Sequence, residues 1–417
     1  MVTEQPKLAR RLGTADAVVI GLGSMIGAGI FAALGPAARA AGSGLLIGLA
    51  VAAVVAYCNA TSTARLAALY PASGGTYLYG RERLGDFWGY VAGWGFVVGK
   101  TASCAAMALT VGAYAWPSHA HMVAALAVVA LTVVNYRGVQ KSAWLTRAIV
   151  CFVLLVLTAV VIAVSFSGVT MFARLSISGS AAGGVLQSAG LLFFAFAGYA
   201  RIATLGEEVR DPARTIPRAI PLALGITLVV YTVIAVAALV ALGPNQLADA
   251  TAPLSQSVRV AGVAWLVPVV RVGAAVAALG SLLALLLGVS RTTLAMARDR
   301  HLPHLFAAVH PTFHVPHRAE LSIGLIVAVS AAIADVRTAI GFSSFAVLIY
   351  YAIANASAFT LRPDEGGPSR SIPIVGGLGC VVLAFALPLT SVVSGGAVIG
   401  IGIAAYALRR IVRRKRS

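Results

Sequence analysis

The sequence alternates long apolar stretches with short polar connections, and twelve such stretches can be drawn along the chain. We number them spans 1 to 12, and they cover residues 16–35, 44–69, 87–115, 120–136, 144–166, 184–205, 219–242, 262–290, 319–334, 339–360, 372–392 and 394–411. A helix of about 17–25 mainly apolar residues crosses the hydrocarbon core of a bilayer. The pattern therefore predicts an all-α polytopic membrane protein with twelve transmembrane helices.

The composition agrees with this prediction and excludes a water-soluble chain. Of the 417 residues, 59% are hydrophobic and 11% are charged, with a mean hydropathy of +0.92. Soluble globular domains carry about 25% charged residues. A chain with so few charges lacks the polar surface to cover itself in water, and its aliphatic content also excludes a disordered chain.

The net charge of +18 is unevenly distributed between the two sides of the predicted bundle. With the N-terminus placed in the cytoplasm, 24 of the 31 lysines and arginines belong to cytoplasmic segments and five to the outer side. Because cytoplasmic loops carry an excess of these residues, we predict a multi-pass protein of the cytoplasmic (plasma) membrane with both termini inside. Residues 1–15 form the cytoplasmic N-terminus and 412–417 a basic tail. The charge indicates topology and contact with anionic lipids at the cytoplasmic face, not nucleic-acid binding.

Acidic residues, metal ligands and nucleotide motifs are not arranged for catalysis. All 13 acidic residues lie outside the middle of the spans, whereas proton pumps and metal-ion channels place carboxylates at membrane depth. Five histidines fall within residues 301–317, but three prolines interrupt them and no cysteine or acidic ligand joins them. No phosphate-binding loop is present. We therefore expect no metal, no cofactor and no enzymatic activity.

Two spans are poor helices near their middle. Span 1 has glycines at 21, 23, 27 and 29, and each interior glycine weakens a helix by about 1 kcal/mol relative to alanine. We predict local unwinding at Gly27 to Gly29, and a second interruption in span 6 within residues 193–199. Paired interruptions at corresponding positions of two halves indicate an inverted-repeat transporter with its substrate site between them. The alternative for Gly23 and Gly27 is a close-packing helix surface.

Four motifs resemble those of the amino acid, polyamine and organocation (APC) transporter superfamily. They are residues 23–31 (GSMIGAGIF), 70–77 (YPASGGTY), 193–208 and 290–299 (SRTTLAMARD). The resemblance implies a LeuT-like fold for a secondary active transporter. Spans 1–5 (16–166) and 6–10 (184–361) would be inverted repeats with helices 1 and 6 unwound, and spans 11 and 12 (372–411) would be peripheral.

The resemblance also implies a substrate site built from backbone groups at the two interruptions. The amides of Gly27, Ala28 and Gly29 would receive the carboxylate of an amino acid at the positive end of a half-helix. The carbonyls of Met25, Phe194, Ala195 and Ala197 would receive its amine. Ile26 and Gly198 complete the set, and Tyr199 is the expected gate, whereas Phe196 is better explained by helix packing.

Departures from the family pattern bear on the substrate. The end of span 6 resembles the cationic amino acid transporter branch, but Ala200 stands where that branch has an aspartate, and Arg201 follows it. Lys100 lies next to Gly99, where other members have a glutamate. We therefore expect transport of neutral L-amino acids, and a carrier or exchanger of cationic amino acids or polyamines is the alternative.

The coupling mechanism is open at this stage. Some relatives in the superfamily place a lysine midway along span 5 that stands in for a sodium ion, and span 5 here has none. Sodium-dependent relatives use hydroxyls on span 8, where this chain has Ser281 beside Gly280. Lys100 and Ser281 are therefore the candidate coupling or gating residues, with proton symport or simple exchange as the two modes. For Lys100 the alternative is a lysine that hydrogen-bonds helix carbonyls or lines the cytoplasmic vestibule. An intramembrane transferase and a nutrient sensor that does not transport are the alternatives from other classes.

Overall fold

A computed structural model describes residues 12–70, 74–138, 143–168, 171–176, 181–203 and 209–414. The predicted terminal segments beyond these limits, and the parts of two motifs at 71–73 and 204–208, lie outside the described residues. The helices are α1 (Thr14–Met25), α2 (Ala28–Ala32), α3 (Leu34–Ala41), α4 (Leu45–Leu69), α5 (Thr76–Leu84), α6 (Asp86–Ala115), α7 (Ala120–Tyr136), α8 (Ala143–Ser165), α9 (Ala182–Phe196), α10 (Ala200–Ala203), α11 (Pro212–Asp249), α12 (Pro253–Val260), α13 (Val267–Arg298), α14 (His317–Ile333), α15 (Val336–Phe359), α16 (Ser371–Ala386) and α17 (Leu389–Arg414).

The helices have the lengths of a multi-pass membrane protein. Within the described residues, ten are long and apolar enough to cross a membrane, when helices that continue across a short interruption are counted together. The other two predicted spans, 9 and 11, correspond to α14 with 17 residues and α16 with 16. Large apolar side chains face outward along the bundle, as at Leu155, Leu325 and Leu378, which a lipid environment accommodates.

Span 1 is interrupted between α1 and α2. Ile26 has ψ +62° and Gly27 has φ −120° and ψ −139°, so these two residues leave the helical conformation. The predicted break at Gly27 to Gly29 is therefore displaced by about one residue toward the N-terminus, and Gly29 is helical. Gly29 is required for packing instead, because a Cβ there would lie 2.6 Å from Cα of Ala195.

Span 6 does not unwind, contrary to the sequence prediction. α9 passes through a 3₁₀ turn at Ala197–Tyr199 directly into α10, and the residues on both sides keep right-handed helical dihedral angles. This segment has a single glycine, and a 3₁₀ turn tightens a helix without freeing a run of backbone groups.

The predicted boundary between spans 11 and 12 is also wrong. α16 ends at Ala386 and α17 begins at Leu389, so the connection lies about five residues before the expected one. Pro388 explains the position, because proline has no N–H to donate within the helix that precedes it.

The packing of the helices repeats with a period of five spans. The contact between spans 2 and 6 is equivalent to the contact between spans 7 and 1, when each span of one half is replaced by the corresponding span of the other half. In the same way, the contact between spans 3 and 10 is equivalent to the contact between spans 8 and 5. Three further contacts have equivalents in the other half: spans 3 and 4 correspond to spans 8 and 9, spans 1 and 5 to spans 6 and 10, and spans 7 and 5 to spans 2 and 10. α16 packs on α4, α9 and α15, and α17 packs on α6 and α15, outside this repeating set.

Polar contacts at the helix ends fall into two groups that match the predicted sides. The ends assigned to the cytoplasm join to one another through Leu12 with Val209, Asp16 with Arg147, Tyr77 with Asp299, Arg83 with Glu365, and Arg409 with His301. Those assigned to the outer side join through Arg39 with Asp249, Ser43 with Arg174, Arg337 with Ala248, and Arg271 with Tyr114. No bond in either group crosses between the predicted sides.

Two contacts of the predicted cytoplasmic face tie α5 to its neighbours. The Tyr77 hydroxyl donates to Asp299 Oδ2 at 2.6 Å, and burial together with this carboxylate raises the pKa of Tyr77. The Arg83 guanidinium donates to Glu365 Oε1 at 2.6 Å and lowers the pKa of that carboxyl. α5 is thereby fixed to the end of α13 and to the connection after α15.

Candidate functional site

A cavity of about 420 Å³ lies at the interruption of span 1, against the 3₁₀ turn of span 6 and between α6 and α13. Its volume falls within the range of small-molecule sites. Nine of the predicted site residues line it, namely Met25, Ala28, Gly29, Lys100, Phe194, Ala195, Ala197, Gly198 and Ser281. The resemblance-based set therefore coincides largely with one enclosed space.

Three predicted site residues do not line this cavity. Ile26 is buried with 3% of its surface exposed, and Gly27 lies against the hydroxyl of Ser281. Tyr199 is fully buried, with its ring 5.3 Å from that of Tyr351. Phe196 is likewise fully buried, 5.2 Å from the ring of Tyr231, in agreement with a packing role.

Tyr231 of α11 joins the interruption of span 1 to the end of α9 in span 6. Its hydroxyl lies 2.5 Å from the carbonyl oxygen of Met25 and 3.0 Å from that of Ala195. The Met25 carbonyl also accepts the N–H of Gly27 at 2.8 Å, which uses both of its lone pairs. The side chain thus satisfies backbone groups at the interruption of span 1, where the helix no longer pairs them internally.

Lys100 lies in the middle of α6 and is 5% exposed. Its ammonium donates to the carbonyl oxygen of Ala197 at 3.3 Å, and the Tyr351 hydroxyl donates to the same oxygen at 3.4 Å. The side chain of Lys100 therefore reaches across the cavity from span 3 to the 3₁₀ turn of span 6. It contacts a carbonyl that the family resemblance assigns to the substrate amine.

Ser281 of α13 contacts span 1 before its interruption and within it. Its hydroxyl donates to the carbonyl oxygen of Gly23 at 3.2 Å. A Cβ on Gly27 would collide with the same hydroxyl, so glycine permits the approach. Ser281 thereby positions the interruption against span 8.

The cavity opens toward the predicted cytoplasmic face. Its lining continues along α13 from Ser281 through Arg291 to Arg298, whose side chains are exposed. At the opposite end, the rings of Phe31 and Tyr114 pack edge to face at 5.7 Å, and both are buried. The Tyr114 hydroxyl donates to the Phe31 carbonyl oxygen at 2.9 Å, which holds this end closed.

The lining is cationic. Lys100, Arg201, Arg291 and Arg298 contribute to it, and the described residues that line it include no aspartate or glutamate. Across the described part of the chain, no group of three histidine, cysteine, aspartate or glutamate side chains is placed to hold a metal ion. The site consists of backbone amides and carbonyls, hydroxyls, aromatic rings and basic groups.

The sequence analysis missed Tyr231 and the remaining cavity residues of α6. Tyr231 is the only aromatic residue of α11, and a buried phenol in an apolar helix requires a hydrogen-bond partner, which was the available signal. Phe96, Ser103 and Met107 line the cavity with Lys100. Their spacing of three and four residues places all four on one helix face, so the helical period could have found them.

Comparisons with known proteins match nearly the whole chain. A family model described as amino acid permease matches residues 12–411. The chain is 75% identical to an uncharacterised transporter of Mycobacterium tuberculosis over 410 residues, which cover 98% of this chain and 93% of the relative. It is 26% identical to the branched-chain amino acid permease BcaP of Bacillus subtilis over 411 residues, which cover 91% of this chain and 88% of that relative. It is 28% identical to cationic amino acid transporter 4 of Homo sapiens over 410 residues, which cover 89% of this chain and 64% of that relative.

Proposed function

The chain belongs to the amino acid permease family and is a transporter, not an enzyme, and we propose that it moves amino acids without net positive charge by alternating access. Neutral L-amino acids are the substrates that the sequence favours. The observation that carries this proposal is the cavity at the interruption of span 1, whose lining reaches the exposed Arg291 and Arg298, while Phe31 and Tyr114 are buried and bonded toward the other face.

The packing pattern supports alternating access. Contacts that recur five spans later relate spans 1–5 to spans 6–10, and five is odd, so related helices cross the membrane in opposite directions. An inverted repeat of this kind can rock around a central site and open it to either side. We assign twelve membrane-spanning helices, so that α14 and α16 also cross the membrane. We place both termini in the cytoplasm, and the cavity in this conformation opens to the cytoplasm.

The substrate carboxylate is assigned to the start of α2. The amides of Ala28 and Gly29 belong to the first turn of a helix, where N–H groups have no intrahelical acceptor and the helix dipole is positive. The Gly27 amide is already bonded to the Met25 carbonyl. The Ala197 carbonyl already accepts from Lys100 and Tyr351, so the substrate amine is assigned to the carbonyls of span 6 at Phe194 and Ala195.

A cationic amino acid or polyamine carrier is the second candidate. The end of span 6 resembles that branch, and a relative of that name is 28% identical. The cationic lining of the cavity weighs against it, because like charges repel in a medium of low dielectric constant.

Uptake into proteoliposomes tests the proposal. We would measure radiolabelled alanine, leucine, glutamate, arginine and putrescine, with and without an inward proton gradient. Saturable uptake of any neutral or acidic amino acid supports the proposal, and accumulation only with the gradient would identify proton symport. Uptake confined to arginine and putrescine would show that the second candidate is correct, and saturable uptake of none would contradict transport of amino acids.

A further inference from the structure

Lys100 is a buried cation whose hydrogen-bonding capacity is only partly used. Its ammonium has three N–H groups, and the acceptor that the structure gives it is the Ala197 carbonyl oxygen at 3.3 Å. Among the described residues, no carboxylate lies within ion-pair distance of it. A cation at the centre of a bilayer costs at least about 2.5–3.5 kcal/mol, and such residues usually serve a substrate or ion pathway.

The position of Lys100 brings its ammonium to the substrate site. It lies on the face of α6 that lines the cavity, with Phe96 one turn before it and Ser103 one turn after it. The carbonyl it contacts belongs to the 3₁₀ turn of span 6, next to the backbone assigned to the substrate. A ligand between α2 and this turn would therefore lie beside the ammonium.

Among the described residues, the charged side chains that line the access route to Lys100 are also cationic. Arg291 and Arg298 line the cavity between its opening and Lys100, and Arg201 contributes from span 6. Clefts with low-dielectric walls focus the field of such groups and raise the local concentration of ligands of opposite sign. The route thus favours entry of an anion over that of a cation.

We propose that Lys100 binds a side-chain carboxylate of the substrate, so that amino acids with acidic side chains are preferred over neutral ones of the same shape. This inference rests on the proposed function and narrows its substrate class. The α-carboxylate occupies the amides at the start of α2, and the second carboxylate replaces the counter-charge that Lys100 lacks among the described residues. An acidic amino acid carries one net negative charge, which also suits the cationic lining.

Isosteric pairs of ligands test the inference. Glutamate with glutamine and aspartate with asparagine differ in charge but hardly in size, so their ratio of affinities isolates the carboxylate. Hydrogen bonds between charged groups are stronger than neutral ones, and we expect each acid to compete about tenfold or more better than its amide. Competition against a labelled transported substrate in proteoliposomes gives the ratio. Chloride, added as the sodium salt in place of sodium gluconate, is tested as a competitor to show whether a simple inorganic anion binds as well as an acidic amino acid.

Variants of Lys100 assign the preference to this residue. In Lys100→Met the ratio of acid to amide should fall to within about twofold, because the charge-assisted bond is lost while the amide is still bound. Lys100→Arg keeps the charge and should retain a preference for the acid. Arg259→Gln, an exposed change outside the cavity, is the matched control and should leave the ratio unchanged.

The outcomes separate this inference from the function on which it rests. Equal competition by acid and amide in the wild type, or an undiminished ratio in Lys100→Met, would overturn the inference while amino acid transport stands. Competition by chloride as strong as that by glutamate would also overturn it, because the site would then bind any anion and would not recognise an amino acid with an acidic side chain. Failure of every amino acid to compete or to be transported would contradict the proposed function itself. If Lys100→Met fails to fold, the wild-type ratios and Lys100→Arg decide the matter.

Discussion

At the scale of single residues, a few side chains satisfy the backbone that the helix interruption frees. Tyr231 bonds carbonyls of spans 1 and 6, Ser281 bonds a carbonyl of span 1, and Lys100 bonds one of span 6. A buried carbonyl left without a hydrogen-bond donor destabilises the folded state, so these contacts stabilise the helices around the interruption. They link the cavity at the interruption to α11, α13 and α6.

We expect Tyr231→Phe to loosen the contact between spans 1 and 6. The change removes the single hydroxyl proton that the Met25 and Ala195 carbonyl oxygens share, which should lower the free energy of unfolding by about 1–3 kcal/mol. Thermal unfolding of the purified protein in detergent measures the loss, and the initial rate of uptake should fall with it.

Tyr57→Phe is the matched control, because Tyr57 is about half exposed on α4. It should unfold at the wild-type temperature. A Tyr231→Phe protein that unfolds and transports like the wild type would show that its hydroxyl is dispensable at the interruption.

At the scale of helices, spans 1 and 6 meet backbone to backbone. A Cβ on Gly198 would lie 2.7 Å from the Met25 nitrogen and in collision with the Ser24 carbonyl. On the other side of the interruption, Gly29 lies equally close to Ala195. Small residues permit such approaches between membrane helices. The two segments can therefore form one wall of the cavity.

Gly198→Ala should separate the two segments. The added methyl group meets backbone, which cannot rotate away, and overpacking of this kind costs about 1–3 kcal/mol. We expect a lower unfolding temperature in detergent together with reduced uptake.

Gly225→Ala provides the control, because a Cβ at this position of α11 meets nothing within 4 Å. Alanine is favoured over glycine in a helix by about 0.5–1 kcal/mol, so this variant should be as stable as the wild type or slightly more stable. Equal effects of the two substitutions would argue against a close contact at Gly198.

At the scale of the whole molecule, the two ends of the cavity differ in whether they are open. The cavity reaches the face that carries Arg298, whereas Phe31 and Tyr114 close the other end. The repeating helix contacts suggest how the asymmetry can reverse, with one five-helix repeat taking the conformation of the other. Arg81 and Tyr77, which bond Asp299, connect α5 to the end of α13 on the open side.

Thiol labelling from each side of the membrane tests the orientation. Thr292→Cys on the cavity wall should react with a membrane-impermeant thiol reagent in inside-out vesicles, because the cavity opens to the predicted cytoplasm. Arg259→Cys, exposed near the predicted outer face, should react only in right-side-out vesicles. Both variants are made with Cys151→Ser, because Cys151 is the exposed native cysteine. The reverse pattern would invert the topology, and labelling of Thr292→Cys from outside would contradict the closed end.

Much of the fold followed from the sequence because its signals are local. Apolar length indicates a membrane helix without reference to any partner, which is why the ends of α7 and α8 agree with the predicted spans to within a residue. Proline acts locally too, and Pro388 marks the connection between α16 and α17 in the sequence. The glycines of span 1 predicted the interruption to within a residue.

The sequence by itself determined an all-helical membrane protein of the amino acid permease family, the interruption in span 1 and nine of the residues that line the cavity. Only the tertiary structure decided that span 6 tightens at Ala197 and does not unwind, that Tyr231 bonds the Met25 carbonyl, and that Lys100 reaches span 6. Hydrogen bonds between helices far apart in the chain depend on how the helices pack. Hydrophobic length and residue spacing report only what one helix does alone.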